Sequence, residues 1–158
     1  MSEATLTLFE NALAAAVAAC GFAVLFNVPP RALWGASMCG ALAYACRFML
    51  VESTLVPPVL ATLVAATLAS GVATLIGKAQ RAPAVIFVVP GVIPLVPGAL
   101  AFRTMAALFT LTDEGSAADP QVLVAVSVNG IRSALITLAI AFGVAVPSLL
   151  LRRTRPMT

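Results

Sequence analysis

Long apolar runs separated by short polar stretches organise the whole sequence. Five of these runs have about the 20 mainly apolar residues that a membrane-spanning helix needs. They cover residues 6–26, 32–51, 57–76, 84–111 and 122–151. We therefore expect an all-α fold, a polytopic membrane helix bundle with five transmembrane helices. No low-complexity linker divides the chain, so residues 1–158 are expected to form a single transmembrane domain.

Proline and glycine interrupt the apolar runs. Residues 27–31 read Asn-Val-Pro-Pro-Arg, and this double proline must end the first helix because the residue before a proline is disfavoured in the helical conformation. The fourth run contains a denser cluster, made of Pro90, Gly91, Pro94, Pro97 and Gly98. Each proline deletes a backbone hydrogen bond and clashes with the preceding turn. We expect the fourth transmembrane helix to be broken at this cluster.

The predicted break suggests a solute path. Backbone groups that lose their partners at membrane depth must be buried in protein or line a polar cavity. Transporters use such breaks to direct half-helix ends and free carbonyls at a solute or an ion. We therefore interpret residues 90–98 as part of a substrate path. A kink that only shapes helix packing remains the alternative.

The basic residues are distributed asymmetrically. In a five-span arrangement one side receives Arg31, Lys78, Arg81, Arg152, Arg153 and Arg155. Basic residues accumulate on the cytoplasmic side of membrane proteins, which predicts an outside N-terminus and a cytoplasmic C-terminus. If residues 84–111 formed a re-entrant hairpin instead, the asymmetry would be lost. No basic segment precedes the first apolar run, which favours a retained helix over a cleaved signal peptide.

Composition limits the chemistry. Hydrophobic residues make up 61% of the chain and charged residues 9%, with a mean hydropathy of +1.08, so lipid is the expected solvent. Cys20, Cys39 and Cys46 form no CxxC pair and the chain has no histidine, which predicts no metal site and no cofactor. No hydrolase or nucleotide-binding motif is present. We expect no catalytic residue, no enzymatic activity and no nucleic-acid partner.

Three arginines lie inside apolar runs, namely Arg47, Arg103 and Arg132. Such groups are costly in lipid and tend to face a bundle interior or a water-filled path. A guanidinium can hold a carboxylate through two hydrogen bonds. Arg47 is therefore our leading candidate for attracting a substrate carboxylate, with Arg103 and Arg132 as secondary candidates. Snorkelling to the membrane interface, or pairing with Glu52 or Glu10, is the alternative.

Two asparagines, Asn27 and Asn129, are the remaining polar candidates for the path. Either one can hydrogen-bond a substrate amine, or it can cap or bridge helices. No Asp or Glu lies near the middle of a run, and no histidine is available to relay protons. A proton-coupled pump usually needs such a group. If the chain takes part in coupled export, we expect the titratable group on another subunit.

The order of these features resembles the threonine/serine exporter family. The resemblance rests on the stretch Gly21–Arg31, on Cys46-Arg47 at the end of the second run, on the proline–glycine break and on Pro147 before a basic tail. The chain resembles the smaller subunit of split exporters, which is similar to the second half of the fused ten-helix exporters. It also resembles the small subunit of two-component succinate exporters.

The resemblance implies an inner-membrane secondary transporter that exports threonine, serine or a dicarboxylate such as succinate, driven by the proton gradient. It also implies a larger partner subunit. The positions that fall in family-like segments are Asn27, Pro29, Arg47, Pro94, Pro97, Gly98 and Asn129. Arg103 and Arg132 stand outside that pattern. A homo-oligomer and a non-transporting membrane scaffold both remain open as alternatives.

Overall fold

The structure, a computed structural model, describes residues 3–54, 56–115 and 119–151. Within these ranges the chain forms helices and no strands, which confirms the all-α prediction. The helices are α1 (Glu3–Leu25), α2 (Pro30–Thr54), α3 (Pro58–Gln80), α4 (Val85–Val92) with a 3-10 turn at Ile93–Leu95, α5 (Gly98–Glu114) and α6 (Pro120–Leu151). The basic tail that contains Arg152, Arg153 and Arg155 lies outside the described residues.

Four helices, α1, α2, α3 and α6, are long and apolar enough to cross a membrane. The predicted fourth span consists of two shorter helices, because α4 has 8 residues and α5 has 17. The axes of these two parts are bent by 55° at the break. The break is narrower than the sequence suggests, since regular α-helix continues through Pro90 and Gly91 and ends at Val92. Pro90 therefore lies inside α4, where its ring removes one backbone donor.

Helices α3 and α6 run in the same direction. The Ser70 hydroxyl on α3 donates a hydrogen bond of 2.9 Å to the carbonyl of Val144 on α6. Nearer the start of α3, a Cβ added at Gly143 would lie 2.7 Å from the Cβ of Ala66. Ile136 on α6 shares a cavity with Pro58, the first residue of α3. Later positions in α3 thus meet later positions in α6.

This parallel arrangement bears on the number of spans. If α3 and α6 both cross the membrane in one direction, the chain between them must cross it once in the other direction. In the described part of that interval, the helical segments are α4, the 3-10 turn at Ile93–Leu95 and α5. A bend of 55°, rather than a reversal, also lets the pair continue across the bilayer. Four helices are long enough to span, and counting the bent pair as one span gives five. That the pair crosses the bilayer stays a prediction.

The core of the bundle is built from small side chains. The buried apolar residues of α1, α2 and α3 are Ala15, Ala19, Ala23, Ala32, Ala36, Cys39, Ala43, Ala61, Ala65, Ala66, Ala69 and Ala73. Large apolar side chains such as Phe9, Phe102 and Phe142 are exposed on the outside. The hydrophobic effect does not drive helices together in lipid, so their association depends on close backbone approach at small residues. This distribution is what a bundle in lipid requires.

Helix α4 packs closely against α2. A Cβ added at Gly91 would lie 2.6 Å from the Cβ of Cys39. One turn earlier, a Cβ added at Gly35 would lie 2.7 Å from the ring of Phe87, which is fully buried. Gly91 therefore lets the backbones of α2 and α4 approach closely, and Gly35 leaves room for the ring of Phe87. The contact holds the short helix α4 inside the bundle.

Replacing Gly91 by alanine is expected to destabilise the protein, because the new Cβ has no room beside Cys39. Overpacking of this kind typically costs about 1–3 kcal/mol. Gly21→Ala is the matched control, since it makes the same change inside a helix with nothing within 4 Å of the added Cβ. Thermal unfolding of the purified protein in detergent, followed by circular dichroism, measures both. Equal melting temperatures for Gly91→Ala and the wild type would contradict the packing account.

Candidate functional site

A cavity of about 230 Å³ lies between α2, α6 and the first turns of α3 and α5. Its walls are formed by Tyr44, Arg47, Phe48, Val51, Pro58, Leu100, Arg132 and Ile136. Most of these side chains are apolar, and the two arginines are the charged ones. A mainly apolar pocket with a few convergent polar groups is the usual form of a small-molecule site.

Helical spacing explains how the cavity is assembled. Arg47, Phe48 and Val51 follow Tyr44 by three, four and seven positions, so all four lie on one side of α2. The rings of Tyr44 and Phe48 are stacked, with their centroids 6.5 Å apart. On α6, Arg132 and Ile136 are four residues apart and also share a face. The packing of α6 beside α3 brings this second face to the first.

The break between α4 and α5 supplies the remaining wall. Leu100 is the third residue of α5, which begins at Gly98. The N-terminal end of an α-helix carries a partial positive charge from its unpaired N–H groups. Because α5 begins only two residues before Leu100, this positive end lies beside the cavity. A continuous helix over residues 84–111 would have no such end here.

The cavity is electrostatically positive. Arg47 is partly buried and Arg132 is exposed at the cavity wall. Among the described residues, the charged group that acts on Arg47 is the guanidinium of Arg132, and no carboxylate does so. The pairing with Glu52 or Glu10 that the sequence allows is therefore not seen at Arg47. The residues that line the cavity include two guanidinium groups and no carboxylate, an arrangement suited to hold an anion and a carboxylate most of all.

The predicted path residues of the break do not line this cavity. Pro90 is fully buried, and Gly91 packs on α2 as described above. Pro94 and Pro97 are partly buried in the connection from α4 to α5, and Gly98 is exposed. These five residues thus shape the break, while Leu100 makes the contact with the cavity. The role of each in a solute path stays a prediction.

Asn27 lies at the end of α1, at the opposite end of α2 from the cavity. Its backbone is left-handed, with φ of 56°, and its N–H donates to the carbonyl of Val24 at 2.9 Å. The N–H of Val28 donates to the carbonyl of Ala23, also at 2.9 Å. This pair of hydrogen bonds is the Schellman motif that ends many helices. The backbone of Asn27 therefore caps α1.

The two remaining candidates, Asn129 and Arg103, lie on α6 and α5. Asn129 lines an open groove near the start of α6, together with Pro120 and Gln121. Arg103 is exposed on α5 and does not line the arginine cavity. Of the three embedded arginines, the structure thus brings together Arg47 and Arg132. Within the described ranges, no cluster of three or more Cys, Asp or Glu side chains is arranged to hold a metal ion.

Sequence reasoning missed Tyr44, Phe48 and Leu100 as members of the site. Tyr44 is the single tyrosine of the chain, and its spacing from Arg47 places both on one helix face. That spacing was a usable local signal. Leu100 gave none, because its position depends on where α5 begins after the break.

Comparison with known proteins places the chain in context. A family model described as threonine/serine exporter matches residues 11–150. An uncharacterized protein of Haemophilus influenzae is 32% identical over 153 residues, which are 96% of this chain and 50% of that protein. The chain thus spans about half the length of the curated relative it matches. No solved structure matches the chain.

Small carboxylate anions such as malonate are expected to raise the melting temperature of the purified protein, because a ligand that binds the folded state stabilises it. Arg47→Gln should weaken anion binding about tenfold or more, since a hydrogen bond to a charged group contributes roughly 1.5–3 kcal/mol. Arg103→Gln, which changes an arginine outside the cavity, is the matched comparison and should keep the shift. Neutral malonamide should have no effect. An equal malonate shift in Arg47→Gln and the wild type would contradict an anion site.

Proposed function

The chain belongs to the threonine/serine exporter family, and we propose that it is one subunit of a secondary transporter in the bacterial inner membrane. The family is one of membrane transporters and not of enzymes. The apolar helices of this chain are those of a multi-pass membrane protein. The observation that carries the proposal is the cavity in which Arg47 and Arg132 meet beside the start of α5.

The proposed cargo is a small carboxylate-bearing metabolite, either threonine or serine or a dicarboxylate such as succinate. The carboxylate is the group these molecules share, and a guanidinium holds it through two parallel hydrogen bonds. At about 230 Å³ the cavity is below the roughly 300–1,000 Å³ of pockets for drug-sized ligands. Its size therefore suits a metabolite of a few carbon atoms.

The broken helix provides the proposed route to the cavity. Helix α4 packs against the middle of α2, where Gly91 meets Cys39. The chain then turns through residues 93–97, and α5 starts beside the arginines. We propose that Pro94, Pro97 and Gly98 keep α4 and α5 from joining into one continuous α-helix so that solute can pass between them. Asn129, in the open groove near the start of α6, is proposed to lie further along the route, and Asn27 at its opposite end.

A larger partner subunit completes the proposed transporter. The chain matches half of the Haemophilus influenzae protein, so a second polypeptide can correspond to the other half. All six acidic residues lie in the first half of α1 or near helix ends, namely Glu3, Glu10, Glu52, Asp113, Glu114 and Asp119. A proton-coupled mechanism needs a titratable group inside the membrane. We propose that the partner supplies this group.

The proposed orientation places the N-terminus outside and the C-terminus in the cytoplasm. Antiparallel packing of α2 with α3 brings Arg31, at the start of α2, to the same end of the bundle as Lys78 and Arg81, near the end of α3. Cytoplasmic connections carry an excess of such residues. The arginine cavity then lies in the outer half of the membrane, toward the connection between α2 and α3.

Export from proteoliposomes tests the proposal. The chain is reconstituted with the membrane protein that corresponds to the unmatched half of the Haemophilus relative, and efflux of labelled threonine, serine and succinate is followed under an imposed pH gradient. We expect efflux of at least one solute, and a loss of about tenfold or more in Arg47→Gln and Arg132→Gln. Arg103→Gln should stay within about twofold of the wild type, because it leaves the cavity unchanged.

Two results would contradict the proposal. Absence of efflux for all three solutes from a correctly assembled pair would exclude the exporter function for these cargoes. Unchanged efflux per complex in Arg47→Gln and Arg132→Gln, together with reduced assembly in Pro94→Ala and Pro97→Ala, would instead support a non-transporting scaffold. The amount of each chain in the vesicles, measured by immunoblot, separates transport per complex from assembly.

A further inference from the structure

Among the described residues, the charged side chains at the end of the bundle formed by the α1–α2 and α3–α4 connections are all basic. Arg31, Lys78 and Arg81 are all exposed there. Helix packing brings the two connections together, since a Cβ added at Gly35 would lie 3.2 Å from Cγ2 of Ile76. Every acidic residue of the sequence lies elsewhere, in the first half of α1 or near the opposite helix ends. In the part of the chain that the structure describes, this end therefore presents basic side chains and no Asp or Glu.

An apolar groove of about 190 Å³ opens beside these basic residues. It lies between the end of α1 and the first turns of α4 and is lined by Phe26, Val28, Val85, Ile86, Val89 and Pro90. Phe26 and Val85 are 53% and 56% exposed, so the groove faces the lipid. Arg31 follows Val28 by three residues and Arg81 precedes Val85 by four. At about 3.8 Å per residue, the chain keeps both basic positions within roughly 11–15 Å of the groove.

The backbone at Arg81 provides a separate observation. Arg81 ends α3 in the left-handed conformation, with φ of 52° and ψ of 43°. Its N–H donates to the carbonyl of Lys78, and the N–H of Ala82 donates to the carbonyl of Gly77. Glycine is the usual residue at this point of such a cap, because other side chains are strained there. An arginine at the strained position points to a role for its side chain.

We propose that this end of the bundle binds one anionic phospholipid. The phosphate lies against Arg31 and Arg81, and one acyl chain occupies the groove between α1 and α4. An amphipathic ligand fits because the apolar groove and the two basic residues lie within roughly 11–15 Å of each other. A free phosphate would use only the charge, and a neutral lipid only the groove. A lipid in the groove would also contact the first turns of α4 and stabilise that helix, since Val85 and Val89 belong to α4.

Lipid binding to the purified protein in nanodiscs or by native mass spectrometry tests the proposal. Phosphatidylglycerol is compared with phosphatidylcholine of the same acyl composition. We expect a retained phosphatidylglycerol molecule and a preference for it over phosphatidylcholine. Arg31→Gln and Arg81→Gln should each weaken this binding about fivefold, which corresponds to roughly 1 kcal/mol per basic residue near a membrane surface. Arg103→Gln, at a distance from this end, is the matched control and should leave it unchanged.

A second variant separates a seated lipid from general attraction to the membrane surface. Val89→Phe fills the groove without changing any charge, and it should also lower phosphatidylglycerol retention. Retention that depends on Arg31 and Arg81 but is unaffected by Val89→Phe would overturn the proposed groove and leave only surface attraction. Equal binding of the two lipids would overturn the proposed headgroup contacts. Exclusion of lipid by the partner subunit in the assembled complex would assign the groove to that partner instead.

The strained backbone gives a further readout. Arg81→Gly should raise the melting temperature in lipid-free detergent, because glycine adopts the left-handed conformation without strain. The same variant should bind phosphatidylglycerol more weakly than the wild type. A variant that gains stability and keeps its lipid affinity would show that the arginine side chain has no part in the site, and it would contradict the proposal.

Discussion

The architecture depends on one constraint, that backbone groups released from a helix inside lipid must be enclosed by protein. Pro90 removes a donor within α4, and after Val92 the α-helix changes to a 3-10 turn that ends at the extended residue Val96. The enclosure comes from α2, which approaches so closely that Gly91 has no space for a Cβ beside Cys39. The many buried alanines serve the same end, because they let backbones approach without large side chains between them.

The break also determines which positively charged groups lie at the cavity. It lets α5 start inside the bundle, so that the positive end of a helix faces the same cavity as Arg47 and Arg132. Because α3 and α6 pack in parallel, Arg132 and Ile136 of α6 and Pro58 of α3 form the other wall of that cavity. A straight fourth helix would give neither the helix end nor the space. The break and the arginine cavity are therefore two aspects of one arrangement.

Local patterns predicted much of the fold. The apolar runs located the spanning helices to within a few residues, and the prolines located the break, because both signals depend on neighbours along the chain. They also singled out Arg47. The sequence could not show that Arg47 meets Arg132, since 85 positions separate them and only the packing of α6 on α3 joins them. For the same reason Leu100 escaped notice. At Asn27 the sequence suggested a role for the polar side chain. The structure instead shows a left-handed backbone that caps α1.

The central claim is that the arginine cavity receives the carboxylate of the transported solute. The most direct measurement is protection of a cysteine placed at Val51, one turn beyond Arg47, in a chain whose Cys20, Cys39 and Cys46 have been replaced. A neutral thiol reagent labels Val51→Cys with and without the exported solute, and Asp113→Cys at the end of α5 is the control. The account predicts that solute slows labelling at position 51 severalfold and leaves position 113 unchanged. Labelling at position 51 that is unaffected by saturating solute would contradict it.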